Sequence, residues 1–164
     1  MEYLSRSVSY FRNFIFGVED SLVSTVGLLS GIALAETPRS TILTTGVVLI
    51  FVEAFSMGAG SFLSEYSVEE YANKSEKTGK KERISSVIMF FSYFISGFIP
   101  LSSYMFFPVT TAFYSSIIFS LVALFILGII GARICRINVI KNAFRMVLVG
   151  GSAIVVGSLA GMLV

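Results

Sequence analysis

Residues 117–132 read IIFSLVALFILGIIGA, sixteen positions without a charged side chain. A strand of a membrane barrel alternates apolar and polar residues over about ten positions, whereas this stretch is apolar on every face, so it reads as a helix surrounded by hydrocarbon. The same texture extends from Thr110 to Ala132 and recurs at Phe14 to Ala35, Ser40 to Ser64, Ile84 to Phe107 and Ala143 to Val164. At about 1.5 Å of rise per residue, each segment is long enough to cross about 30 Å of hydrocarbon. The expectation is an all-α polytopic membrane protein, a single membrane domain over residues 1–164 with five transmembrane helices. Its spans are about 14–35, 40–64, 84–107, 110–132 and 143–164, with a polar loop at 65–83.

Composition agrees with that reading and excludes several chemistries. The 164 residues are 55% apolar and only 13% charged, with a mean hydropathy of +0.85, outside the range of an ordinary water-soluble domain. The absence of His removes Ser-His-Asp and Cys-His catalysis, imidazole haem ligation and His-containing zinc sites. Cys135, the single Cys, makes neither an intrachain disulfide nor a thiolate cluster. No Ser, Thr or Tyr has an evident activating base, so no enzyme activity is expected. Nucleic-acid binding is not expected either, because topology and anionic headgroups account for the basic residues from Arg133 to Arg145.

Turn chemistry separates the spans at Thr37-Pro38-Arg39, at Phe107-Pro108 and between Arg136 and Asn142. The first two connections are short, which predicts that spans one and two, and spans three and four, are antiparallel neighbours. Pro100 removes a backbone hydrogen bond inside span three and predicts a kink near Gly97. Eleven of the twelve basic residues fall before span one, between spans two and three, or between or just inside spans four and five, while Arg39 stands alone on the other side. The positive-inside bias then places the N-terminus in the cytoplasm and the C-terminus outside or in a lumen. The first span carries two acids and no small-residue cleavage site, so it is not read as a removable signal peptide. In the polar loop, Glu65, Glu69 and Glu76 share one helical face and are candidates for a cytoplasmic mouth that gathers cations, or for a solvated helix continuing span two.

Three acids sit within the spans: Glu19, Asp20 and Glu53. An acid at a membrane-helix centre costs about 2.5–3.5 kcal/mol on insertion scales, so its retention points to an ion path, a proton relay or a buried partner. Gly17, Asp20, Ser24, Gly27 and Gly31 recur at spacings of three and four along one side of helix one, a small and polar stripe that calls for a close neighbour and is read as lining a pathway or facing a second copy. On helix two, Gly46, Glu53, Met57 and Gly60 share a face. Carboxylate and thioether together suit a borderline-soft divalent ion better than an all-oxygen cage would.

The stretches FGVEDSLVSTVGLLSGIA (Phe16 to Ala33) and EAFSMGAGSFLS (Glu53 to Ser64) resemble the two signature regions of the vacuolar iron transporter family, and the resemblance covers nearly the whole chain. It implies five helices, a Pro-Leu step in helix three, matched by Pro100-Leu101, and a glycine-rich last helix, matched by Gly150 to Gly161. It also implies pathway roles for Asp20 and Met57, export of ferrous iron (Fe2+) or manganese (Mn2+) from the cytoplasm in exchange for protons, and a homodimer with the path between two copies of helix one. The chain departs from the family pattern at Ser21, at Ser61 and in having only a short connection between helices two and three, where the best-described members insert a long Glu- and Met-rich helical domain. The short form is similar to the nodulin-like branch and to small prokaryotic relatives.

The expected function is therefore a proton-coupled metal exporter. Asp20 is its shared ligand and proton carrier, Met57 a soft selector, Glu53 a second carboxylate and Glu19 a mouth group. No cofactor is expected to be permanently bound; metal and protons are cargo, and lipid and a second copy are the partners. A carboxylate in an apolar wall holds a proton when empty and releases it when a dication arrives, which gives exchange a physical basis. The alternatives are a uniporter or channel without proton coupling, and a non-transporting assembly partner using glycine faces that include Gly157 and Gly161. The membrane is expected to be the plasma membrane in a prokaryote, and a vacuolar or other endomembrane in a eukaryote.

Overall fold

The computed structural model describes residues 2–73 and 79–163, in which every regular element is a helix. The helices are α1 (Glu2–Leu34), α2 (Arg39–Asn73), α3 (Lys80–Phe106), α4 (Val109–Cys135) and α5 (Val139–Met162). All five are long and apolar enough to cross a membrane, which makes this a multi-pass membrane protein. α1 begins ahead of its apolar segment. α2 runs past Ser64 as far as Asn73, because nothing in 65–73 breaks a helix. Glu76, part of the acidic face read from sequence, lies outside the described residues.

The connections follow their turn residues. Pro108 holds the N-cap position of α4, and the Asn138 side chain caps α5 by accepting from the Lys141 amide at 3.0 Å. α3 continues as a helix through Pro100, which is buried. Glu36 and Arg136, at the ends of α1 and α4, have φ of 55° and 54°, the left-handed region that favours glycine. After α4, the Ile137 amide reaches back to the Ala132 carbonyl at 3.0 Å and closes the turn. A left-handed non-glycine residue costs about 1–2 kcal/mol. Glu36→Gly is therefore expected to raise the unfolding temperature of the purified protein, and a lowered one would mean that the Glu36 side chain contributes more than its backbone costs.

Packing departs from the order of the chain. Despite their short connection, α1 and α2 touch each other less than any other principal helix pair, because α3 packs extensively on both. They are antiparallel neighbours, as their connection predicts, but a splayed pair bridged by α3. Spans three and four do meet, and α5 lies against α1 and α4. An apolar core of Leu29, Ile42, Ile50, Leu101, Tyr104 and Ala112 fills the end of the bundle that holds the α1–α2 and α3–α4 connections. There Arg39 donates to the last carbonyls of α3, Tyr104 at 2.7 Å and Met105 at 2.5 Å. The basic residue that charge counting leaves isolated thus neutralises the negative end of a helix dipole.

The α1 stripe is shared between two neighbours inside the chain. A Cβ on Gly17 would meet Met89 and Ser92 of α3 at 2.9–3.2 Å, and one on Gly31 would lie 2.5 Å from the Gly157 carbonyl of α5. Gly27 and Gly31 meet Ala153, Gly157 and Gly161 backbone to backbone. The close neighbours that the stripe calls for at Gly17, Gly27 and Gly31 are thus supplied within the chain by α3 and α5. Gly157 and Gly161 meet Gly27 and Gly31, so the two small-residue steps satisfy each other.

Candidate metal pathway

The splay of α1 from α2 leaves a cavity of about 650 Å³ between them, with Met89 of α3 among its walls. α1 contributes Arg12, Asn13 and Phe16 to the lining; α2 contributes Ser56, Met57, Gly60, Ser61 and Ser64. The helices are antiparallel, so the facing positions descend in register: Asn13 donates to Ser61 Oγ at 2.7 Å, and Arg12 pairs with Glu65 at 3.2 Å. Helical spacing puts Asp20 one turn beyond Phe16 on α1 and Glu53 one turn beyond Met57 on α2. Asp20 and Glu53 are close enough for their charges to act on each other. Tyr93 of α3, fully buried, lies within electrostatic range of both. Its hydroxyl shares a 2.7 Å hydrogen bond with Ser24, and its carbonyl accepts from Ser21 Oγ at 2.6 Å.

Among the described residues, the carboxylates of Asp20 and Glu53 form no ion pair; the pair that does form is Arg12 with Glu65. Both acids are half-buried, and Glu19 is held beside Asp20 within range of its charge. Gly60 faces open space: a Cβ placed there would have nothing within 4 Å, as befits a cavity wall. The groove thus brings together the thioethers of Met57 and Met89, while Asp20 and Glu53 stand one helical turn further along α1 and α2, outside its lining. Among the described residues, no three Cys, Asp or Glu side chains converge as a complete metal cage.

The mouth expected at Glu65 and Glu69 is more heavily bonded than its sequence suggests. Glu65 Oε1 accepts from Ser9 at 2.5 Å, Ser85 at 2.7 Å, Asn13 at 3.0 Å and Arg12 at 3.2 Å. The side chain is only 9% exposed, and its other oxygen has no partner among the described residues. Glu69 faces Glu82 of α3. Sequence reasoning missed Asn13, Ser85, Met89 and Tyr93. A signal was available: Asn13 extends the 17, 20, 24 stripe by one step, and Ser85, Met89, Ser92 and Ser96 recur at four, three and four along α3. Asn13, Ser85, Met89 and Tyr93 are themselves uncharged, so none of them stood out as costly in a membrane.

A sequence model of the VIT family matches residues 11–86 and 74–162, the two matches overlapping at 74–86. The chain belongs to the VIT family. This family member is 29% identical over 158 residues to vacuolar iron transporter homolog 4 of Arabidopsis thaliana, covering 90% of this chain and 79% of the relative. It is 23% identical over 202 residues to vacuolar iron transporter 1 of Tulipa gesneriana, covering 87% and 82%, and 22% identical over 202 residues to vacuolar iron transporter 1 of Arabidopsis thaliana, covering 87% and 81%. Alignments of 202 positions exceed the 164 residues of this chain, so those two relatives carry residues with no counterpart in this VIT protein. As a member of a transporter family, it is not an enzyme.

Proposed function

We propose that this VIT family protein carries a divalent transition metal, ferrous iron or manganese, out of the cytoplasm in exchange for protons. The observation that supports this most is the pair of carboxylates, Asp20 and Glu53, which form no ion pair among the described residues and lie within range of each other's charge on the two helices that wall a thioether-lined cavity. An acid retained in hydrocarbon without a basic partner has its cost offset by a passing cation or by a proton. Competition between the two for the same oxygens gives antiport. Met57 supplies soft character that favours a first-row metal over calcium or magnesium. One chain offers too few ligands for a partly dehydrated dication, so a second copy facing the open α1–α2 groove would complete the set across a two-fold axis. The vacuolar names of the relatives and the basic residues at the N-terminal end of the bundle support a cytoplasmic N-terminus and a lumenal or external C-terminus.

The test is reconstitution of the full chain into liposomes with an imposed pH gradient, following Fe2+ or Mn2+ with one dye and internal pH with another. Metal movement that depends on the protein, accompanied by protons moving the opposite way, is the expected result. Absence of metal flux in either direction overturns the transporter reading. Metal flux without proton movement overturns antiport in favour of a uniporter or channel.

A further inference from the structure

A second concave site, which shares no lining residue with the α1–α2 groove, lies at the turn from α4 to α5. A cavity of about 210 Å³ is lined there by Ile137, Asn138, Lys141, Asn142 and Arg145. Its walls are fixed. The Asn142 side chain donates to the Gly128 carbonyl at 2.9 Å, and Asn138 is occupied in capping α5. A Cβ on Gly128 would lie 2.6 Å from the Ala143 Cα, so the two helix backbones touch just behind the cavity. With both amide side chains held in place, the charged donors are Lys141 and Arg145, one helical turn apart on an exposed face.

Charge balance at this corner differs from that elsewhere in the molecule. From Arg83 to the C-terminus the chain contains no Asp or Glu. Among the described residues, Lys141, Arg145 and the flanking Arg133 and Arg136 have no ion-pair partner, in contrast to Arg12, which is held by Glu65. Topology requires basic residues at this end of a membrane protein, but it does not require them to converge on a cavity. Around the cationic pair the surface is apolar: Ile137, Ile140 and Phe144 are 52%, 68% and 57% exposed. Cationic groups above an apolar wall match an amphiphile better than a free inorganic anion, which would gain nothing from Ile137.

The geometry points to a binding site for the phosphate headgroup of an anionic phospholipid, held by Lys141 and Arg145 with the acyl chains along Ile140 and Phe144. This site is independent of the transport reading. The test uses the full chain in neutral detergent, titrated with short-chain phosphatidylglycerol, short-chain phosphatidylcholine or inorganic phosphate, with bound adducts counted by native mass spectrometry. Phosphatidylglycerol is expected to bind in preference to phosphatidylcholine and to resist displacement by inorganic phosphate. The double variant Lys141→Gln/Arg145→Gln should weaken phosphatidylglycerol binding about thirtyfold, and each single variant about fivefold, from the usual contribution of one basic residue near an anionic headgroup. Lys80→Gln/Lys81→Gln, at the same end of the bundle, should leave binding unchanged. Equal binding by wild type and the single variants overturns the proposal, as does an equal loss in the Lys80/Lys81 control. Displacement by inorganic phosphate overturns the lipid as the source of the phosphate.

Discussion

Asp20→Asn is expected to lower protein-dependent metal flux in liposomes by at least about a hundredfold, because loss of a direct ligand should exceed the ten- to hundredfold typical of losing an outer-shell partner. The substitution preserves shape and removes only the charge. Asp20 makes no ion pair among the described residues, so no packing contact or partner is lost. An acid near a membrane-helix centre carries an insertion cost of up to about 3 kcal/mol, and the neutral amide should leave the protein at least as stable as before. The two readouts therefore separate the explanations: a thermally intact variant with collapsed flux assigns Asp20 to the path, whereas lowered stability with proportionate flux would make it a structural residue. Glu53→Gln should follow the same pattern, since its carboxylate shares the electrostatic environment of Asp20. Unchanged flux in both variants would remove the pathway assignment altogether.

The second large effect concerns folding. Gly157→Leu should destabilise the protein by about 3 kcal/mol, at the upper end of what overpacking usually costs, and sharply reduce the yield of monodisperse protein. The position allows no side chain: a Cβ on Gly157 would overlap the Gly27 carbonyl, and one on Gly161 would overlap the Gly31 carbonyl. Both obstacles are backbone atoms in long helices and cannot rotate aside. Helix association in lipid depends on close van der Waals approach, not on expulsion of water, so separating α1 from α5 removes the interaction that joins them. Gly151→Leu is the control, because a Cβ there meets nothing within 4 Å. Melting of Gly157→Leu indistinguishable from that of Gly151→Leu would show that α1 and α5 do not depend on this contact.

The sequence by itself determined which segments are helices in a membrane, since stretches such as Ile117 to Ala132 leave no polar face for another arrangement. It also marked Asp20, Glu53 and Met57, because an acid in hydrocarbon is costly and a thioether four residues away shares its face. Tertiary structure alone decided that α3 bridges α1 and α2, leaving the groove that Met57 lines and bringing Asp20 within range of the Glu53 charge. It also decided that the glycines of α1 pack on α5, and that Asn13, Ser85 and Glu65 bond to one another across three helices. The physical reason lies in the solvent. Lipid makes every apolar helix face equally acceptable, so hydropathy separates span from loop without saying which face meets which helix, and a small residue marks a close contact without naming its partner.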